Sequence, residues 1–430
     1  ELPKVNLDTV IANNKDVHDY IDANWNRLRE DDPFQTPDSL FTQFKRSAQK
    51  EVNYLVKEFE CKKAADSYAR ASVSRTGVLD CSKLHTYKYN DDLFRKVTTL
   101  ADGKNHGLVF VLDWSGSMAP VLEDTCKQLF NLIWFCKKVN IPFEVYAFTN
   151  EWIRHKTLPG GSWAPLPSHY EAEEGQLAVD ENFCMMNILT SKVNGKTLEC
   201  QMKNIYRIAH YFSCRGCYSY EPGGRVSLSG TPLNEAIVTL HQILPKFQSE
   251  NKLQKVQCVV LTDGEAGFLN RHATVIDYKG EERIGSKRLI ADRTFVRDRK
   301  TGHTYQVKYS SHEFTDLLLQ NLKDNFIDTN LIGIRVLVPR DANAFIKMYH
   351  HNSSEVEKIQ NSWRKEKSFV IKNSGYDSYF GMSSTALNQE TEFEVDEGAT
   401  KSKIKSAFVK SLKTKKLNKR ILGEFISLVV

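Results

Sequence analysis

The sequence lacks several features, and each absence narrows its chemistry. No run of about 18 apolar residues occurs, so no membrane-spanning helix is expected. Asn194-Gly195-Lys196-Thr197 imitates the end of a phosphate-binding loop, but Thr190 stands where such a loop needs a glycine. With no apolar strand expected ahead of it, ATP binding by this chain is not predicted. Ser115 and Ser117 have no histidine at a spacing that suggests a nucleophile and its base. No internal repeat is visible. The nine cysteines are odd in number and scattered, which argues against a disulfide framework and for a reducing compartment. Several sit inside apolar runs, as in Val-Gln-Cys258-Val-Val, where a free thiol serves as a small core residue. Cys214-Arg-Gly-Cys217 is a single CxxC, with Cys184, Cys200, His169 and His210 in the same stretch. A zinc site would require paired ligands at tighter spacing.

What is present is an ordinary globular composition. The 430 residues are 26% charged and 11% aromatic, which excludes wholesale disorder, collagen and coiled-coil fibre. Their length fits two or three domains. Lys and Arg number 59 against 53 Asp and Glu, a formal net charge of +6. The chain begins at Glu1 rather than Met, which leaves room for a processed upstream segment. It is expected to act in the cytoplasm, without a membrane.

Apolar periodicity gives the organisation. Residues 1–36 form a polar opening. Phe41, Phe44, Ala48, Val52, Leu55 and Phe59 then recur at three- and four-residue steps, predicting a helix that runs to about Ser74. Continuous apolar runs at 107–112, 142–148, 256–261 and 331–338 read as strands buried on both faces. Helical periodicity falls between them, at 121–138, 197–213, 232–248, 341–350 and 353–366. Strands alternating with helices predict an α/β fold with a doubly wound, mainly parallel, Rossmann-like sheet. The expected divisions are a helical N-terminal region (1–100), an α/β domain (101–383) and a C-terminal segment (384–430). Two stretches break the rhythm as insertions, near 150–227 and 268–313. The second is expected to be a β-hairpin or small β-meander, with turns at Lys279-Gly280 and Lys300-Thr-Gly302. Five acidic groups in 390–397 precede nine Lys/Arg in 401–420. With Ile404, Phe408 and Leu412 four apart, the basic stretch is expected to be an amphipathic helix. Its charge reads first as a solvated face, next as a contact for an acidic partner, and last as a nucleic-acid contact.

The chemistry-bearing constellation lies at strand ends. Asp113-Trp-Ser115-Gly-Ser117 directly follows the first apolar strand, where doubly wound sheets bind ligands. Ser229-Gly-Thr231-Pro opens a helix, and Thr262-Asp263-Gly264 ends another strand. The three loops bring Asp113, Ser115, Ser117, Thr231 and Asp263 toward one place. Carboxylates and hydroxyls without Cys or His suit Mg²⁺ or Mn²⁺, which favour oxygen ligands and keep waters. An ion held by two carboxylates and three neutral hydroxyls keeps an open position, which an Asp or Glu of a partner would complete. Such a site binds rather than hydrolyses. The bland alternative is a Ser/Gly turn capping helix 121–138, with Asp263 capping another helix.

The order Asp-x-Ser-x-Ser, then Thr, then Asp resembles the metal-ion-dependent adhesion site of von Willebrand factor A domains. The likeness extends to cobaltochelatase CobT subunits, which carry such a domain. It rests on Ala71-Ser-Val-Ser-Arg-Thr-Gly-Val-Leu-Asp80, Lys83–Phe94, Lys104-Asn-His-Gly107, Pro159-Gly-Gly-Ser-Trp163 and Leu417-Asn-Lys-Arg-Ile-Leu-Gly-Glu-Phe425. It is weakest in 164–220 and 268–330. The resemblance implies a non-catalytic, Mg²⁺-dependent adaptor that works with a MoxR-type AAA+ ATPase ring. In that family the pair drives metal insertion into a corrin by a separate large subunit. Two features depart from the family. Its long acidic, low-complexity region does not occur in these residues, and the 268–313 insertion is longer. Similar proteins occur in large tailed phages, so the alternative expectation is a structural or assembly protein, virion-associated, that grips a subunit through the same site.

Overall fold

The computed structural model describes residues 1–26, 33–69, 72–89, 93–99, 105–152, 168–214, 220–264, 266–276, 279–350, 352–372, 374–383 and 426. In chain order its elements are α1 (Leu7–Val10), β1 (Ile11–Ala12), α2 (Asn14–Trp25), α3 (Gln35–Ala69), β2 (Ser72–Leu79), β3 (Phe94–Thr99), β4 (His106–Asp113), α4 (Leu122–Lys138) and β5 (Phe143–Thr149). There follow β6 (Leu177–Ala178), β7 (Cys184–Thr190), α5 (Gly195–Ser213), α6 (Leu233–Glu250), β8 (Lys255–Leu261), β9 (Asn270–Ile276), β10 (Glu282–Arg288), β11 (Phe295–Arg297) and β12 (Thr304–Gln306). The last are α7 (Ser311–Asn325), β13 (Leu331–Leu337), α8 (Ala342–Tyr349), α9 (Ser353–Glu366), β14 (Ser368–Ile371) and β15 (Ser378–Ser383).

Eight strands form one sheet in the order β1-β7-β5-β4-β8-β13-β15-β14. The pairs β1–β7, β5–β4, β4–β8, β8–β13 and β13–β15 are parallel, whereas β5–β7 and β15–β14 are antiparallel. This is a mixed α/β fold with a large, mostly parallel central sheet. The eight residues of β4 are all buried, as a strand covered on both faces must be. Their alternation divides the core. Leu108, Phe110 and Leu112 join one apolar cluster with α2, α3, α4 and α5, while Val109 and Val111 join a second with α6, α7 and α8. Helices thus cover both faces, as the alternation of elements in the sequence predicted. Gly107 has a packing reason of its own, because a Cβ there would run into Leu253 and Phe247.

The apolar stripe of α3 behaves as its spacing implies: Phe41, Ala48, Val52, Leu55 and Phe59 are buried, and the helix packs on α4 and α5. The Arg207 guanidinium on α5 donates to both carboxylate oxygens of Asp38, at 2.8 and 2.7 Å. The expected helix to Ser74 is corrected. The helix stops at Ala69, and Ser72–Leu79 is instead a strand paired antiparallel with Phe94–Thr99. Serine and β-branched residues are weak helix formers, and cross-strand pairing overrides the stripe.

The first 26 residues are built into the main body. Strand β1 extends the sheet beside β7, and Val17, Ile21 and Trp25 of α2 join the first apolar cluster. Within the stretch expected as an insertion, Cys184–Thr190 is a sheet strand antiparallel to β5. That also corrects the reading of Asn194-Gly195-Lys196-Thr197, since an apolar strand does precede it. The segment caps α5, with the Asn194 side chain accepting from the Thr197 N–H at 2.9 Å. The 268–313 stretch holds two hairpins, β9–β10 and β11–β12, with β9 also paired to β6. Among the described residues no helix is long and apolar enough to cross a membrane. The acidic stretch 390–397 and the basic stretch 401–420 lie outside the described residues. Ile426 is buried in the first cluster.

A charged cluster joins α4 to α5. Glu123 accepts from Tyr206 Oη at 2.9 Å and His210 Nδ1 at 2.8 Å, and Lys127 Nζ lies 2.9 Å away. Burial alone would raise the Glu123 carboxyl, but His210 and Lys127 outweigh it and hold it at about 2. The folded value lies below the ordinary 4.5, so the cluster stabilises the fold above that pH and loses its effect as pH falls toward 2. Glu123→Gln should cost about 2–3 kcal/mol at pH 7. Urea melts at pH 7, 4.5 and 3 should show a flatter acid dependence for the variant than for the parent.

Candidate metal centre

Asp113 is the last residue of the central strand β4, and its side chain is fully buried. Two groups fix the carboxylate. Oδ1 accepts from the Ser115 backbone N–H at 3.0 Å, and Oδ2 accepts from the Thr262 hydroxyl at 2.6 Å. Thr262 stands just past β8, the neighbour of β4, and also receives the Gly264 N–H at 3.2 Å. Ser115 is extended, and Gly116–Met118 form one 3₁₀ turn. That path brings Ser115 Oγ within 3.0 Å of Ser117 Oγ. Ser117 Oγ in turn donates to Asp263 Oδ1 at 3.0 Å. Ser115, Ser117 and Asp263 therefore share one hydrogen-bonded chain of oxygens, tied to Asp113 through the Ser115 backbone N–H.

The third loop is anchored through backbone. The Gly116 N–H donates to Ser229 O at 2.7 Å, and the Ser229 N–H donates to Trp114 O at 3.4 Å. Trp114 is buried and donates its indole N–H to Val226 O at 2.8 Å. Thr231 stands two residues beyond Ser229, half-buried, immediately ahead of Pro232 and α6. Its hydroxyl takes no part in the Ser115–Ser117–Asp263 chain.

Burial is the main electrostatic fact. It pushes the Asp113 carboxyl up to about 6, against the Thr262 and Ser115 hydrogen bonds that stabilise its charge, and the nearby Asp263 adds to the rise. Asp263 is also raised by burial, with Ser117 and Arg335 acting in the other direction. Two carboxylates held close together in a desolvated setting are costly without a cation. The donor set fits a hard divalent ion. Two carboxylates and adjacent hydroxyls lie together there. The cysteine stretch shows other roles. Cys184 is buried in β7, Cys200 is exposed, and His210 is bonded to Glu123, while Cys217 lies outside the described residues.

The orienting role of Thr262 was not legible in the sequence, because it depends on β4 and β8 being neighbours. Its signal was its place beside Asp263 at a strand end. Arg335, one strand further on, was likewise missed.

No family model matches the chain, and no curated protein matches it. Among solved structures, the chain is similar to the pilus adhesin SpaC from Lactobacillus rhamnosus GG in its open conformation, at 15% identity and a TM-score of 0.31. The match covers 74% of this chain and 31% of the adhesin. A likeness that weak carries no argument about fold or function.

The buried carboxylate gives a prediction with a definite sign. The folded value of Asp113 lies above the ordinary 3.8, so its charge costs nothing in acid and its full penalty is present above about pH 6. In metal-free protein at pH 7.5, Asp113→Asn should raise unfolding stability by about 1–2 kcal/mol. Mn²⁺ added to saturation should stabilise the parent and leave the variant unchanged in thermal melts. Thr262→Val, which removes only the orienting hydroxyl, should weaken Mn²⁺ binding about 10–100-fold.

Proposed function

We propose that the chain is a divalent-cation-dependent protein-binding module of the von Willebrand factor A kind, without catalytic activity of its own. The observation that carries this reading is the hydrogen-bonded run from Ser115 through Ser117 to Asp263, set beside buried Asp113. Asp113, Ser115, Ser117 and Thr231 would hold Mg²⁺ or Mn²⁺, with Asp263 close by or through a water. When bound, the ion supplies concentrated positive charge and an open coordination position, which suits a carboxylate from a partner.

This chain's own residues do the rest. Thr262 and the Ser115 N–H fix the Asp113 rotamer, so the donors need little reorganisation. Ser117 is exposed while Asp113 and Ser115 are buried, so the site reaches solvent at Ser117. Replacing water by a partner carboxylate in this partly desolvated setting adds a charge-assisted bond stronger than its counterpart in bulk water. The partner class comes from the sequence resemblance to CobT subunits: a MoxR-type AAA+ ATPase ring.

The test is capture of a MoxR-type ATPase by the full chain. Mg²⁺ should support capture, chelator should abolish it, and Asp113→Ala should abolish it with circular dichroism unchanged. Ser117→Ala, which removes one neutral donor, should weaken capture less. Capture that survives both chelation and Asp113→Ala would make the metal site structural and move the contact elsewhere, with deletion of 401–430 as the next map.

A further inference from the structure

Arg335 on β13 is half-buried. Among the described residues no carboxylate forms an ion pair with it, and its Nε is buried without a hydrogen-bond partner. Its guanidinium lies over the Phe345 ring of α8, 4.4 Å from the centroid, a contact that holds the group in place while leaving its charge available. A half-buried, unpaired guanidinium is unfavourable unless an anion meets it.

Its position ties it to the metal centre. Ile334 pairs with Leu261, and Ile334 O accepts the Thr262 N–H at 3.1 Å. Arg335 is therefore one strand, about 4.8 Å, from the loop that orients Asp113 and carries Asp263. It acts on Asp263 electrostatically without pairing to it directly.

We infer that Arg335 is a second anion contact beside the metal site, and that the partner presents two acidic groups, one for the ion and one for the Arg335 guanidinium. The inference rests on the metal-site reading and adds a specificity requirement to it. A ligand with one carboxylate satisfies the ion alone. A ligand with two carboxylates a few carbons apart satisfies both, the second through a charge-assisted pair that arginine's planar fork favours.

The experiment uses the full chain loaded with Mn²⁺ and follows water-proton relaxation as acetate or glutarate displaces bound water. The parent should bind glutarate about 10-fold or more tighter than acetate. Arg335→Gln should keep its Mn²⁺ and acetate affinities, and its glutarate advantage should shrink to about the twofold of having two equivalent ends. Arg335→Lys, which keeps the charge and loses the fork, should fall between them. Retained Mn²⁺ binding doubles as the folding control, since it needs all three loops. If Arg335→Gln loses it by unfolding, the ranking of Arg335→Lys against the parent decides. A glutarate advantage that persists undiminished in the variants would mean chelation by the ion alone and overturn the role of Arg335. If parent and Asp113→Ala bind no Mn²⁺ in a direct titration, the metal reading itself fails, and this inference falls with it.

Discussion

The site depends on one constraint: a fully buried carboxylate at the end of the central strand. Asp113 is held between the Ser115 N–H and the Thr262 hydroxyl, so its orientation is set before anything binds. The same burial pushes its proton affinity up. The fold tolerates this because β4 is locked into a two-faced core, with Leu108, Phe110 and Leu112 on one side and Val109 and Val111 on the other. A strand so thoroughly packed can carry an unfavourable terminal residue. Stability of this kind is commonly given up at binding sites.

The loops around Asp113 are positioned by different means, which explains their separate roles. Ser115 and Ser117 are set by a short 3₁₀ turn whose backbone is tied to Ser229. Asp263 is set by β8, which pairs with β4 on one side and β13 on the other. Thr231 arrives with the start of α6. Because the donors come from separate elements, a cation would draw three parts of the sheet edge together. Arg335 on β13 extends the same edge by one strand and adds a positive charge that forms no ion pair among the described residues.

Much of this was legible in the sequence, and the reason is physical. Central strands buried on both faces read as continuous apolar runs, so β4, β5, β8 and β13 appeared within a residue or two of their bounds. Helices α4, α5 and α6 showed the same through their stripes. Asp113, Ser115, Ser117 and Asp263 were visible because turn residues following a buried strand sit at the ligand-binding edge. Pairing was what stayed hidden. Strand β1 is two residues long and finds its place only through β7. The first three residues of strand β2, 72–74, fall within the expected helix because the partner β3 lies beyond an intervening loop, and cross-strand contacts outweigh local propensity. Thr262 and Arg335 gained their roles from the β4–β8–β13 order, which no local pattern encodes.

The central claim is that these oxygens hold a divalent cation. Its most direct test is a crystal structure of the full chain soaked in Mn²⁺, with anomalous scattering used to locate the ion. The account predicts one strong peak among Asp113, Ser115, Ser117 and Thr231, with Asp263 adjacent or bridged by a water. Crystals saturated with Mn²⁺ that show no peak there, with Asp113 still closed onto Thr262 and Ser115, would contradict it.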